Sequence, residues 1–225
     1  MFYDLHVRAG PQKAGEMAKK LGLAGIGITV PWKERESLKG IMQEARAIKG
    51  IDVAVGLELS GKAHEIQALA KSARRQNELI IVRGGSEEVN RAALETPEVD
   101  ILVSPALQSG DAGINHILAR LGAKNNVAIC FDFWEVLQSY KKTRSQILSS
   151  YLETARFVRK YKCPFILSAG ALSEWDMRAA SELMAFGKFL GFQEGQCKAA
   201  LSGRIVAENR KRLGGKWVMP GVEVE

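Results

Sequence analysis

Leu79-Ile80-Ile81-Val82-Arg83-Gly84-Gly85-Ser86-Glu87-Glu88 is the stretch on which the fold turns. Its continuous, mostly β-branched apolar run reads as a strand buried on both faces, which implies a parallel sheet covered by helices. The run ends on a charged residue and passes through two glycines. Ser86 before two acids then opens a helix, whose positive end those acids favour. The same unit recurs at Phe2-Tyr3-Asp4-Leu5-His6, Gly25-Ile26-Gly27-Ile28-Thr29 and Val53-Ala54-Val55-Gly56-Leu57-Glu58. It appears again at Ile101-Leu102-Val103-Ser104, Val127-Ala128-Ile129-Cys130-Phe131-Asp132 and Phe165-Ile166-Leu167-Ser168. A helical pattern follows each one. Ligands of such sheets meet the carboxyl ends of the strands, so Asp4, His6, Glu58, Arg83, Ser104, Asp132 and Ser168 are predicted to share one rim.

Seven strands are recognisable and an eighth is not. The pattern is α/β, a TIM-like (β/α) barrel with one strand missing or replaced. An open doubly wound sheet remains the alternative, since periodicity does not separate the two. Leu38, Ile41, Met42, Ala45 and Ile48 form one apolar helical stripe; Ile114, Ile117, Leu118 and Leu121 form a second. Thr143-x-x-Gln146 and Ser173-x-x-Asp176 have the spacing of capping boxes. A single domain over 1–225 is expected, with extra helices over about 193–213 and a loop-like tail over 214–225.

The 225 residues carry a net charge of +7, unevenly spread. Residues 51–100 hold six Lys and Arg against nine Asp and Glu, a local balance of −3, so the remainder carries +10. A basic chain with one acidic sector suggests a polyanion on one side and a different partner on the other. Three scattered cysteines, Cys130, Cys163 and Cys197, provide no zinc framework and fit a reducing compartment. No signal peptide and no membrane-spanning apolar run is evident, so the chain is expected to be cytoplasmic, with no membrane partner.

Asp4 and His6 alternate onto the same side of their strand. With Glu58, Asp132 and either His64 or His116 they form a candidate O/N metal cluster for hydrolytic chemistry. The competing reading is a structural, hydrogen-bonded Asp/His pair. Arg83-Gly84-Gly85 and Ser168-Ala169-Gly170-Ala171 are candidate phosphate seats or merely tight turns. No nucleophile elbow, Cys/His pair or phosphate-binding lysine loop is present. Aromatic residues are sparse among the cations, which favours phosphate and shape reading of structured RNA over stacking on single strands. A barrel enzyme acting on a small phosphate-bearing substrate is a third reading.

Taken in order, Phe2-Tyr3-Asp4-Leu5-His6-Val7, Ile81-Val82-Arg83-Gly84-Gly85, Asp100-Ile101-Leu102-Val103-Ser104-Pro105, Gly113-Ile114-Asn115-His116 and Leu167-Ser168-Ala169-Gly170-Ala171 resemble the archaeal ribonuclease P protein component 3 family. That family is the counterpart of the thirty-kilodalton subunit of the eukaryotic nuclear enzyme. The resemblance implies a barrel related to the polymerase and histidinol phosphatase superfamily. It implies a subunit that stabilises a catalytic RNA for removal of the 5′ leader from precursor tRNA. It further implies that protein component 2 is a partner in a heterotetramer, and that the RNA uses Mg2+ while this chain binds no cofactor. The superfamily's enzymes begin with His-x-His, whereas Asp4 stands in the first position here, which argues against a surviving metal site or catalytic residues. Resemblance and rim placement together nominate Arg83, Arg91, His116, Lys124, Lys160, Arg178 and Lys198 for RNA contact. The metal-dependent phosphoesterase alternative uses Asp4, His6, Glu58 and Asp132.

Overall fold

A computed structural model describes residues 1–106 and 111–214, and the backbone of two short strands beyond them. The strands are β1 (Tyr3–Val7), β2 (Gly25–Pro31), β3 (Asp52–Leu59), β4 (Leu79–Arg83), β5 (Ile101–Val103), β6 (Ala128–Asp132) and β7 (Phe165–Ser168). All pair in parallel, in sequence order. Helices alternate with them: α1 (Pro11–Lys20), α2 (Leu38–Ala47), α3 (Ala63–Arg74), α4 (Glu87–Glu95), α5 (His116–Asn125), α6 (Phe133–Gln138), α7 (Lys141–Tyr161) and α8 (Ala180–Phe189). Two more, α9 (Glu194–Ala200) and α10 (Arg204–Leu213), complete the helical set expected over about 193–213. The sheet curls into a nearly closed barrel, the predicted architecture.

Two apolar layers hold it together. Leu5, Leu79, Ile81, Ile101, Val103 and Ile166 point into the barrel. Ile26, Ile80, Val82, Leu102, Ile129 and Phe131 point outward under the helices. The interior of a seven-stranded barrel is cramped, and the sequence adapts with small residues. A Cβ at Gly56 would lie 2.3 Å from the Leu79 carbonyl oxygen, and one at Gly27 would lie 2.8 Å from that of Leu5.

Among the described residues no ladder joins β7 to β1, and the seam is closed by side chains instead. Ser168 Oγ donates to Asp4 Oδ1 at 2.5 Å, and the Ala169 amide donates to Asp4 Oδ2 at 3.1 Å. The Arg8 amide reaches Ala171 O at 2.7 Å. Asp4 is therefore a clasp, and alanine there leaves buried donors without an acceptor. The expected loss is about 1–3 kcal/mol, or roughly 2–12 °C in melting temperature for a chain of this size. Asp4→Asn keeps one acceptor oxygen and should lose less; equal loss for both variants in thermal melts would refute the clasp.

At the opposite, amino-terminal end of the strands, α10 plugs the barrel. Val206 joins the interior cluster, and Asn209 Nδ2 donates to Glu78 O and Asp100 Oδ1 at 2.8 and 2.9 Å. Arg210 spans Glu78 and Asp52, and Arg74 holds Asp100 at 2.6 Å. Three of the nine acids in 51–100 are thus paired internally at this end. Asp52, Glu78 and Asp100 serve the plug, while Glu65, Glu87, Glu88 and Glu95 stay exposed.

Several local expectations change. Ile117 is 44% exposed, because α5 begins only at His116, with Asn115 as its cap, and turns that side chain outward. Thr143 starts nothing: α7 already begins at Lys141. Ser173 does cap with Asp176, but over a single 3-10 turn, Glu174–Asp176, rather than a helix. Ser86 caps α4 as read, accepting from the Val89 amide at 3.3 Å. Within the tail expected to be loop, β8 (Trp217–Met219) and β9 (Val222–Glu223) form an antiparallel pair.

Candidate functional site

The carboxyl ends of the strands converge as predicted, and the rim residues form one hydrogen-bonded network. The His6 ring is fully buried. Its Nδ1 lies 2.9 Å from Asp132 Oδ2 and its Nε2 lies 2.9 Å from Glu58 Oε2. Both nitrogens thus face carboxylates and both donate, which makes the ring an imidazolium. Arg83 Nε donates to the other Glu58 oxygen at 2.5 Å, and its Nη1 donates to Ser104 Oγ at 2.9 Å. Ser104 donates in turn to Glu135, whose second oxygen accepts from Tyr151 OH at 2.7 Å.

The charges settle accordingly. Burial alone would push the His6 ring down, but Asp132 and Glu58 outweigh it and raise the group to about 9. Burial opposes the ionised carboxylates of Glu58 and Asp132, yet His6 and Arg83 hold both below the ordinary carboxylate range. Asp4 moves the other way. Burial dominates its bonds to Ser168 and Ala169 and lifts it to about 6. Burial and the Asp132 charge likewise raise Glu135. Two cations therefore sit against two ionised carboxylates, while burial raises the two further carboxyls of Asp4 and Glu135.

This arrangement does not suit a divalent ion. His6 Nδ1 or Nε2, Cys130 Sγ and an Asp132 oxygen lie within 4.8 Å of one another. A metal there would have to eject a proton from His6 and sit beside the Arg83 guanidinium, while burial and Asp132 hold the Cys130 thiol well above its usual range. Asp4, the departure from His-x-His, is turned to the seam, and neither exposed His64 nor exposed His116 joins the cluster. The expected result of elemental analysis on the purified chain is well under one equivalent of Zn, Mn or Fe. A stoichiometric metal lost on His6→Ala substitution would overturn this reading.

The two glycine loops are structural. Gly85, at φ +120°, donates its amide to Asn90 Oδ1 at 3.3 Å, and Asn90 Nδ2 bonds Pro105 O and Gly113 O at 2.7 and 2.9 Å. The Gly170 amide donates to Ser168 Oγ at 3.0 Å. These amides, read as either phosphate seats or tight turns, face the protein. Asn90, Glu135 and Tyr151 escaped sequence reasoning; only the placement of Glu135 three residues after Asp132 hinted at a role.

Six of the seven nominated residues divide between the two ends of the barrel, and Arg91 lies on its flank. Arg83, His116 and Arg178 lie at the carboxyl end of the strands, where helices begin. Arg83 is engaged as described, His116 is exposed at the first turn of α5, and Arg178 Nη1 donates to Trp175 O and Met177 O. Arg91 lies on the outer face of α4 between Glu87 and Glu95 at 3.6 and 3.8 Å. Lys124 and Lys160 occupy the last turns of α5 and α7, at the opposite end, and Lys198 on α9 pairs with Glu194 at 2.8 Å. No described helix is long and apolar enough to cross a membrane.

Comparison with known proteins adds the family. Residues 1–213 match the model of RNase P subunit p30. The ribonuclease P protein component 3 of Methanosarcina mazei is 34% identical over 99% of this chain and 95% of its own length. That of Methanococcoides burtonii is 33% identical over 99% and 93%. A chain in a cryo-EM structure of archaeal ribonuclease P with mature tRNA superposes with a TM-score of 0.84 at 23% identity, covering 99% of this chain and 97% of that one.

Proposed function

Because this chain belongs to the RNase P subunit p30 family, we propose that it acts in ribonuclease P as a scaffold for the catalytic RNA rather than as a catalyst. It is a protein subunit of that tRNA-processing endoribonuclease. The observation that carries the scaffolding reading is the His6–Glu58–Arg83–Asp132 network. It fills the mouth where barrel enzymes bind substrate, with internal cations where an open metal site would be needed. The metal-dependent phosphoesterase alternative lacks that open position.

In this reading Lys and Arg neutralise phosphates where RNA helices crowd together, so the RNA folds at lower Mg2+. The Mg2+ belongs to the RNA, and this chain holds no cofactor. Lys124, Lys160 and Lys198 at one end, and His116 and Arg178 at the other, would touch separate RNA segments. Arg91 supplies the flank. Arg83, tied to Glu58 and Ser104, has only Nη2 without a partner among the described residues. Protein component 2, joined in a heterotetramer, is the proposed protein partner, and the particle works in the cytoplasm on precursor tRNA. The test is reconstitution with the RNA and a labelled precursor tRNA. Leader cleavage should require the RNA and vanish after nuclease treatment. Phosphoester hydrolysis by the chain alone, abolished by a chelator but not by nuclease, would overturn it.

A further inference from the structure

With the carboxyl mouth filled by ion pairs, open space at the other end of the barrel becomes informative. A cavity of about 330 Å3 lies there between the end of α7, the start of β7, α9 and α10. That volume falls within the about 300–1,000 Å3 typical of small-molecule sites. Its wall includes Phe165 and Phe192, stacked at 3.8 Å and 16°, with the Arg159 guanidinium 5.9 Å from the Phe192 ring. Ala199 lines it from an exposed position on α9, and Asn126 and Gln196 add amides able to meet a polar edge.

The rim is basic. Arg159, Lys162 and Arg204 line the cavity, and Glu208, the acid among its lining residues, is already paired with Arg204 at 2.6 Å. Lys162 caps α7 at φ 52°, a left-handed conformation for which glycine is usual. Lys162 places a charge at a strained position. The positive surface continues outward: Arg120 lies 4.9 Å and Lys160 5.5 Å from the Tyr161 ring centroid. Among the described residues Arg120, Arg156, Lys160 and Lys162 have no ion-pair partner. Helix dipoles account for cations in the last turns, but not for Arg120 or Arg156, nor for the apolar hollow beside them.

We propose that this cavity receives one unpaired nucleotide of the ribonuclease P RNA, its base against the half-buried Phe165 ring, which the buried Phe192 backs, and its phosphate at Lys162 and Arg159. RNA is read most specifically through bases splayed out of the helix, stacked on aromatic rings or guanidinium planes. The cationic rim favours this occupant over an apolar side chain of a protein partner. The inference rests on the RNA-scaffold reading.

The experiment places a photoreactive p-benzoylphenylalanine at Ala199 in the reconstituted holoenzyme, with the same group at exposed Gln67 on α3 as control. An adduct to the RNA from position 199, mapping to one nucleotide and absent from position 67, is the expected result. An adduct to a protein subunit overturns the proposal, as do adducts scattered along the RNA or no adduct in an active particle. A particle with no RNA-dependent cleavage overturns the scaffold reading itself. Ala199→Trp, which fills the cavity from an exposed helix position, should weaken RNA affinity on the order of tenfold with an unchanged melting temperature. Unchanged affinity would also overturn the proposal.

Discussion

Replacing His6 by alanine is expected to destabilise the fold by about 3–5 kcal/mol, the range for removing one partner of a buried ion pair. For a chain of this size that lowers the melting temperature by roughly 6–20 °C. The reason lies in what remains. Asp132 and Glu58 would face one another, buried, with Arg83 as the only cation on Glu58. A melting temperature within 2 °C of the wild type would mean that the ring is not an imidazolium. The same ion pair predicts a pH signature. The folded-state value of about 9 exceeds the ordinary histidine value of 6.5, so the native state holds a proton that the unfolded chain has released. Stability is therefore fully present below pH 6.5 and falls as pH rises toward 9, by about 3 kcal/mol. Asp4, raised to about 6 from 3.8, adds a separate fall in stability as pH rises through that lower window. Urea melts at pH 6.5, 8 and 9 check the alkaline limb. A flat profile in the wild type would sink the assignment, and a residual slope of equal size in His6→Ala would move it to another group.

Affinity for the RNA should collapse with salt. A protein making six to ten phosphate contacts loses about 10³–10⁵ in affinity between 50 and 200 mM salt. Alanine at Lys124, Lys160 and Arg178 together should shallow the log–log slope by about 2–2.7, at about 0.7–0.9 per lost contact. Reconstituted leader cleavage by this triple variant should fail first at low Mg2+, where the RNA depends most on protein cations. An unaltered slope and Mg2+ requirement would remove these residues from the interface. Because Arg178 and the two lysines lie at opposite ends of the barrel, single variants serve a further purpose. Protection of different RNA segments by each would show that the subunit bridges them.

Two loops show why the sequence left phosphate seat and tight turn undivided. Arg83-Gly84-Gly85 and Ser168-Ala169-Gly170 have the composition of phosphate seats, yet their amides are taken by Asn90 and Ser168. Composition reports that an amide is free of its own helix or strand, not which distant side chain claims it.

The strand beat, the parallel order, the shared rim and the helix starts at Ser86 followed from the chain order of residues, because period and capping act over a few neighbours. Most of the rim was legible for the same reason: Arg83, Asp132 and Ser168 end strands, His6 and Glu58 stand one residue before an end, and Ser104 follows one. What those residues do there was not. His6 meets Asp132 across 126 positions and Glu58 across 52, Asp4 meets Ser168 across 164, and Asn209 reaches Asp100 across 109. No local pattern encodes such pairings. They arise only when the strands close into a ring, and that closure turned a candidate metal cluster into an internal ion pair and a clasp.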